Sequence, residues 1–558
     1  MRRLLLAALA VAALAAPAPA AASAHLPALT PGPNDALSRA LERGALSEAQ
    51  YALARAEALF RPLAAHARYG DVEAMPPRAA TLVLRDLALR KSGLQGAERA
   101  RAEGILARPF SAESRIFPRP DDTVLGFPID AADDAQYSLA AAGSLAWACF
   151  DTLPICITFV TTTDDAIPLA DSGGLAGWPD YLESVIAAVG EVWDEEIVRM
   201  GYRQPRPDLA SPNNGGSPDL DIYLADLPGG LYGYCVPDDP KLDEPSPPSW
   251  DSSAYCVFDN DYLASEYGPE YTPEQNLQVT AAHELFHAVQ FAYDASEDDW
   301  FAEGSATWME DEVFDDVDQN RSYLFDSPLV QPGEPLDYDN PNTGSVYGAW
   351  IFFRYLSEHG DESLIRSFWE RAGGAAGDPD DYSLEAIDNV LADGLGPVFA
   401  DFAAANFFPA LAYEEGDAYP APRVSSAMTI SKGRPSASKV RRLDHMASAY
   451  ISVKPGAGVK GNARVRLALD FPARSHAPQA RVVSISKSGV VQTREVRLSG
   501  AGDAQLTLPF GSLRQLIVVA VNAGARYDCW QGMPLACSGI PLDDGLPFRA
   551  GATLVQRR

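Results

Sequence analysis

The chain has 558 residues, of which 47% are hydrophobic, and a formal net charge of −32. It is longer than one ordinary domain, and its apolar content is sufficient for sizeable cores. The acidic balance argues against nucleic acid as a partner, because phosphate binding needs clustered Lys and Arg. No Gly-rich phosphate loop or G-x-S-x-G nucleophile elbow occurs, so NTP and serine-hydrolase chemistry have no support.

The N-terminus has the pattern of a secretory signal peptide. Met1-Arg2-Arg3 is charged, an apolar run follows, and Ala22-Ser23-Ala24 matches an A-x-A cleavage site. Pro17 and Pro19 interrupt the run, and no later segment offers about 18 uninterrupted apolar residues. We therefore predict that residues 1–24 are a signal peptide, that the mature protein is secreted, and that it has no membrane span.

Residues 25–115 are predicted to be helical. They are rich in Ala, Leu and Arg with helical spacing, as in residues 49–60, and contain no Cys. The region is either a propeptide or helical cap for the unit that follows, or a plain structural subdomain. The sequence favours neither.

From about residue 116 the pattern changes to strands and turns. Residues 155–161, 220–224 and 254–258 are predicted strands, and 181–200 is a predicted amphipathic helix.

Six cysteines occur in three close pairs. Export permits disulfides, and proximity favours three pairings among the 15 possible connectivities, although it does not prove them. The favoured pairs are Cys149 with Cys156, Cys235 with Cys256, and Cys529 with Cys537. Zinc binding by these cysteines would need C-x-x-C spacings, which are absent.

The segment His283-Glu284-Leu285-Phe286-His287 has the H-E-x-x-H pattern of a zinc hydrolase. Residues i and i+4 of a helix share a face, so both imidazoles can point at one ion while Glu284 leans toward its water. Thr272-Pro273 before the segment predicts a capped helix start, and no Gly or Pro follows before Asp294. The alternative is two ordinary histidines on a buried helix, satisfied by backbone carbonyls.

A catalytic zinc usually takes three protein ligands. Residues 300–310 have the sequence W-F-A-E-G-S-A-T-W-M-E, which resembles the W-L-N-E-G-F-A-S-Y-V-E segment of gluzincin metallopeptidases. The resemblance implies that Glu303 is the third zinc ligand, with Thr307 and Glu310 on the same helix face behind the ligands. The alternative for Glu303 is a solvated helix carboxylate. The resemblance to gluzincins covers residues 270–360 well and the rest of the chain only in outline.

The sequence departs from that family in three places. Ala302 replaces a common Asn, and the spacing between His287 and Glu303 is shorter than in the aminopeptidases. No G-x-M-E-N segment occurs upstream, which favours an endopeptidase. The resemblance implies an α+β zincin-like catalytic domain at 116–423, with a mixed sheet over the active-site helix and a helical lower lobe. The edge strand of that sheet is expected at residues 255–258.

The expected reaction is peptide hydrolysis by a metal-activated water, with Glu284 as general base. Tyr347 is the candidate donor to the oxyanion. Strict alignment on Gly348-Ala349 instead places Ser345 at the family's Tyr position. A Tyr that opens an aromatic helix also often packs with a solvated hydroxyl.

The C-terminal part differs in pattern and charge. The region before it is predicted to be helical, with helices at about 344–359, 361–372 and 384–407 that complete the lower lobe. From about residue 424, β-type stretches separated by turns follow. Residues 424–558 carry 19 Lys and Arg against 7 Asp and Glu, a balance of +12. We predict an all-β sandwich accessory domain at 424–558. Its role is either to bind a carbohydrate, a protein such as the substrate, or the cell surface, or to stabilise the catalytic unit.

Several Asp-rich runs are candidates for structural Ca²⁺, although none matches an EF-hand loop and the simpler alternative is a solvated acidic surface. The runs are Asp238-Asp239, Asp259-Asn260-Asp261, Asp298-Asp299 and Asp315 to Asp318.

Two functions therefore remain at the level of the sequence. The first is a secreted zinc endopeptidase that acts on a polypeptide substrate. The second is a secreted binding protein without activity, in which the zinc site is structural and the β domain binds the ligand. The carboxylate of Glu284 separates them, because turnover needs it and a structural site does not.

Overall fold

A computed structural model describes residues 35–72, 78–110, 144–150, 152–175, 177–211, 214–244, 246–339 and 343–555, with residues 26, 28, 29, 76, 123–124 and 127–128. The predicted signal peptide lies outside these residues. The predicted domain boundaries stay predictions.

The described part of the N-terminal region forms five α-helices, as its composition predicts. The start of the second is fixed by a capping box in which Ser47 and Gln50 exchange side-chain and backbone hydrogen bonds. The helices are α1 (Ala36–Glu42), α2 (Glu48–Phe60), α3 (Pro62–Tyr69), α4 (Ala80–Arg90) and α5 (Gly96–Ile105).

Among the described residues, seven strands precede the motif helix. The two short ones, β1 (Thr123–Val124) and β2 (Phe127–Pro128), pair with each other. The other five form one mixed sheet in the order β3-β4-β5-β7-β6. They are β3 (Leu145–Cys149), β4 (Ile155–Val160), β5 (Leu220–Ala225), β6 (Gly233–Pro237) and β7 (Ala254–Asp259).

The expectation that residues 255–258 form the sheet edge is wrong. They lie in β7, which pairs with β5 on one side and with β6 on the other, so the edge beside β7 is β6. Burial does not distinguish the two strands, since all six residues of β7 and all five of β6 are buried. The pairing of β7 on both sides decides its position.

Helices cover both faces of this sheet. Side chains such as Ile157 and Ile222 face a core shared with α6 (Asp180–Trp193) and with the motif helix. Alternate side chains, among them Tyr234 and Val257, face a second core shared with α2, α4 and α5. The N-terminal helices therefore form one outer layer of the sheet.

The region after the sheet is helical. The predicted helix at 384–407 is two helices, because Leu391 is extended and Gly394 has a positive φ of 76°. Glycine adopts this conformation without steric cost. The helices are α7 (Ala264–Tyr267), α8 (Pro273–Tyr293), α9 (Asp299–Val313), α10 (Ser345–Gly348), α11 (Trp350–His359), α12 (Ser363–Arg371), α13 (Leu384–Val390), α14 (Leu395–Ala405) and α15 (Pro409–Ala412).

The C-terminal part consists of strands, as predicted. Two sheets, of five and four strands, contribute to one apolar core that includes Val482, Val518, Leu467 and Phe548. Their orders are β13-β12-β15-β10-β8 and β14-β11-β18-β9. The strands are β8 (Ser426–Ile430), β9 (Ser436–Leu443), β10 (Ala447–Pro455), β11 (Arg464–Asp470), β12 (Pro478–Ser486), β13 (Val491–Glu495), β14 (Asp503–Pro509), β15 (Leu513–Asn522), the short pair β16 (Tyr527–Asp528) and β17 (Ile540–Pro541), and β18 (Leu546–Val555).

All three predicted disulfides are confirmed. They are Cys149–Cys156, Cys235–Cys256 and Cys529–Cys537. Three disulfides are typical of proteins outside the reducing cytosol. Among the described residues, no helix has the length and apolar character needed to cross a bilayer.

A buried ion pair connects the β-rich part to the helical part. His445 Nε2 lies 3.2 Å from a carboxylate oxygen of Asp337, and both side chains are at most 1% exposed. Burial lowers the pKa of His445, but Asp337 and Asp544 outweigh it and raise the pKa to about 10. Because the folded pKa lies above that of the unfolded chain, the pair contributes its full stability below about pH 6.5 and loses it as the pH rises toward 10.

We expect His445→Asn to lower the free energy of unfolding by about 3–5 kcal/mol at pH 6, because it leaves Asp337 buried and unpaired. The deficit should shrink between pH 6.5 and 9.5. Urea unfolding at several pH values measures it. His476→Asn is the matched control, since the His476–Asp543 pair is partly exposed and should be worth less than about 1 kcal/mol. Equal losses at pH 6 and 9.5 would contradict the assignment.

Candidate metal centre

The helix that carries the motif starts where the sequence predicts. Thr272 caps α8, its side chain accepts from the backbone N–H of Gln275, and Pro273 occupies the first turn. The helix runs without interruption to Tyr293. As the four-residue spacing predicts, His283 and His287 share a face, with their ring centroids 4.7 Å apart.

Glu303 of α9 meets the two imidazoles. Its Oε2 lies 3.0 Å from Nε2 of His283 and 3.7 Å from Nε2 of His287. The two Nε2 atoms are 3.1 Å apart. Ligands at about 2.0–2.1 Å from a tetrahedral zinc ion are separated by roughly 3.3 Å, so the three atoms have the mutual spacing of a metal-ligand set.

Two further side chains orient the imidazoles. Nδ1 of His283 lies 2.8 Å from Oε1 of Glu310, and Nδ1 of His287 lies 2.7 Å from Oε1 of Gln290. Gln290 in turn donates through Nε2 to the carbonyl of Ala302 at 2.9 Å. Because a carboxylate or an amide oxygen only accepts, each Nδ1 carries the proton and each Nε2 presents a lone pair to the centre.

The donor set fits a divalent cation. Three acceptor atoms converge inside the protein, and the second oxygen of Glu303 is buried without a hydrogen-bond partner in the described structure. A proton on Nε2 of His283 could be shared with only one of the other two acceptor atoms at a time. A cation satisfies all three, and two imidazoles with one carboxylate is a donor set that zinc prefers.

Electrostatics of the chain alone agree with a bound positive charge. Burial raises the pKa of Glu303, but His287 and His283 outweigh it and hold the pKa at about 2. Burial lowers the pKa of His283, yet Glu303 and Glu310 raise it to about 10. The pocket thus stabilises a cation beside Glu303, a role that a metal ion can fill in place of the proton.

Glu284 lies under the edge strand. A Cβ built on Gly233 of β6 would lie 3.3 Å from Cγ of Glu284 and 2.8 Å from a methyl group of Thr280. Only glycine lets the strand approach α8 this closely. Burial raises the pKa of Glu284, and the charges of His287 and His283 oppose that rise. A raised pKa suits a general base, since it strengthens the carboxylate as a proton acceptor.

Tyr347 lies beside the first imidazole. Its ring centroid is 6.4 Å from that of His283 and 4.8 Å from that of Tyr323. Its hydroxyl is buried without a hydrogen-bond partner in the described structure, and burial raises its pKa. Ser345, the alternative from strict alignment, bonds instead to Thr343 and to the carbonyl of Tyr338. Of the two, Tyr347 is the residue near the imidazoles.

The whole site is closed. The five predicted site residues are between 0% and 2% exposed, namely His283, Glu284, His287, Glu303 and Tyr347. The closure comes from the start of α4 and the residues just before it. Thr81 Oγ1 donates to Oε2 of Glu284 at 2.6 Å, and Arg78, which precedes the helix, pairs with Glu310 at 2.5 Å.

Three residues that contribute to the site were not predicted from the sequence. Gln290, Thr81 and Arg78 belong to no motif, and the last two lie about 200 residues before it. Only Gln290 carried a local signal, since it is three residues after His287 on the same helix. Thr307, expected behind the ligands, is buried, and its hydroxyl has no hydrogen-bond partner among the described residues.

The acidic runs separate into ion pairs and one cluster. Asp238 pairs with Arg108, and Asp239 with Lys241. Among the described residues, Asp259 joins Asp226 and Glu266 in a group whose carboxylate oxygens lie within 4.8 Å of one another. Structural calcium stays a prediction.

The comparisons with known proteins do not assign a family. No family model and no curated protein matches the chain. Among solved structures, PliG of Aeromonas hydrophila, a periplasmic inhibitor of g-type lysozyme, aligns with 23% of this chain and 98% of its own at 15% identity and a TM-score of 0.15. A family GH115 4-O-methyl-α-glucuronidase aligns with 64% of this chain and 54% of its own at 10% identity and a TM-score of 0.12. At these TM-scores neither likeness assigns a fold or a function.

Proposed function

We propose that the protein is a secreted zinc-dependent endopeptidase of the gluzincin type. The observation that carries the proposal is the convergence of Nε2 of His283, Nε2 of His287 and Oε2 of Glu303, each within 3.7 Å of the others. The sheet above α8 and the helices below it suit a zincin-like arrangement. The three disulfides support export.

The side chains divide the chemistry of peptide hydrolysis among them. A bound zinc ion supplies Lewis acidity and lowers the pKa of water. Glu284 accepts the proton of the attacking water at its carboxylate and passes it to the leaving amine. Tyr347 donates its hydroxyl proton in a hydrogen bond to the developing oxyanion. Glu310 and Gln290 keep both Nε2 lone pairs directed at the ligand position.

Metal content and metal-dependent cleavage test the proposal together. Elemental analysis of the purified chain should find one zinc ion. Hydrolysis of an unstructured protein should stop when a chelator removes the zinc and return when zinc is restored. Cleavage that survives complete removal of the metal would refute the proposal, and so would a chain that binds no zinc.

A second function has one observation in its favour. The ligand set is at most 1% exposed, as in a structural zinc site that holds helices together. The protein would then be a binding protein whose β-rich part meets the ligand. Stoichiometric zinc with no cleavage under any condition would favour this function.

A further inference from the structure

The N-terminal end of α4 packs against the candidate metal centre. Thr81 is in its first turn and is fully buried. Its hydroxyl oxygen accepts from the backbone N–H of Cys235 on β6 at 2.9 Å and donates to Oε2 of Glu284 at 2.6 Å. One side chain therefore bonds to both the edge strand and the general base.

Hydrolysis of an extended peptide would use both the backbone N–H of Cys235 and the carboxylate of Glu284. β6 is an edge strand, and Cys235 directs its N–H away from β7 toward Thr81. This N–H takes no part in the pairing with β7, so a peptide carbonyl could accept from it once Thr81 moves away. Glu284 must be free to accept a proton from water. With Thr81 in place, the N–H of Cys235 and Oε2 of Glu284 are both occupied.

A second contact fixes the same end of the helix. Arg78 pairs with Glu310 at 2.5 Å and bonds to Gln319, and its guanidinium lies 4.9 Å from the ring centroid of Tyr232. Glu310 is the carboxylate that orients His283, so Arg78 ties the position of α4 to the metal-ligand set.

Access of a substrate to the site requires only residues 78–81 to move, not the whole of α4. The later turns of α4 share a core with the sheet through Val83, Leu84 and Leu87, and removing the whole helix would expose Tyr234 and Val257 of that sheet. Displacement of residues 78–81 frees Cys235 N–H and Glu284 while most of that core stays in place. This motion breaks three side-chain hydrogen bonds and one ion pair.

We propose that the N-terminal end of α4 is an autoinhibitory contact, in which Thr81 occupies the peptide-binding position and keeps the endopeptidase latent. The proposal rests on the proposed function. It adds a means of control to that function. In the resting protein, the open form with residues 78–81 displaced is present for only a small fraction of the time.

Two substitutions at one position test the contact. Thr81→Val keeps the shape and removes the hydroxyl, whereas Thr81→Ser keeps the hydroxyl and serves as the matched control. A hydrogen bond to a charged group controls the open population by about 10- to 100-fold. We expect Thr81→Val to raise both the hydrolysis of an unstructured protein and the rate at which 1,10-phenanthroline removes zinc by about that factor, and Thr81→Ser to behave like the wild type.

The outcomes separate this proposal from the proposed function. Faster zinc removal from Thr81→Val without cleavage by any form supports the contact and refutes the endopeptidase. Full cleavage by the wild type, with Thr81→Val slower or unchanged in both assays, supports the endopeptidase and overturns the contact. A chain without zinc overturns both.

Hydrogen exchange of the wild type keeps the test valid if Thr81→Val does not fold. The amides of residues 80–84 and of Cys235 should exchange through a shared opening of lower free energy than global unfolding. The amides of residues 52–56 in α2 should exchange only on global unfolding. Exchange of Cys235 only on global unfolding would overturn the proposal.

Discussion

Replacing Glu284 by glutamine is expected to lower kcat/KM for a peptide substrate by about 10²- to 10⁴-fold, the range that general acid–base catalysis supplies. Glutamine keeps the shape of the side chain and can still accept from Thr81, but it cannot take a proton from water. Zinc content should not change, because Glu284 is not among the converging ligand atoms.

The matched control is Glu274→Gln in the first turn of the same helix, where the side chain is exposed. It should leave kcat/KM unchanged and cost a few tenths of a kcal/mol of stability at most. If Glu284→Gln retains wild-type cleavage, Glu284 is not the base and the cleavage has another source. If wild type and variant are both inactive but hold zinc, the structural-zinc function gains support.

Local signals predicted much of the fold. The capped start of α8 at Thr272 and the three disulfide pairings followed from residues close together in the chain. The edge strand did not follow, because β6 (Gly233–Pro237) contains Gly and Pro and has no alternating apolar pattern. Its position depends on antiparallel pairing with β7, a contact between residues distant in the chain.

The sequence predicted the residues of the motif, but it did not predict the contacts from α4 that close the site. His283 and His287 come together through helical spacing alone, and Glu303 was found through a resemblance of its segment. Thr81 reaches Glu284 only because α4 packs across the sheet, and no pattern near residue 81 indicates this contact. A hydroxyl that bonds to two distant groups has no signature in a single sequence.

Replacing Glu303 by glutamine should abolish tight zinc binding. An amide is a far weaker ligand than a carboxylate, and even the partners behind metal ligands are worth about 10–100-fold in affinity, so we expect a loss of more than about 100-fold. A ligand at 100 times its Kd stabilises a fold by about 2.7 kcal/mol. Zinc should therefore raise the Tm of the wild type and leave that of Glu303→Gln unchanged.

The control is Glu312→Gln on the same helix, because Glu312 bonds to Arg354 and Ser357 rather than to the ligand set. It should keep the zinc-dependent rise in Tm, even if its Tm without zinc falls. A full zinc-dependent rise in Glu303→Gln would show that Glu303 is not a ligand. The two imidazoles would then need another donor, and the gluzincin assignment would lose the residue that separates it from other H-E-x-x-H proteins.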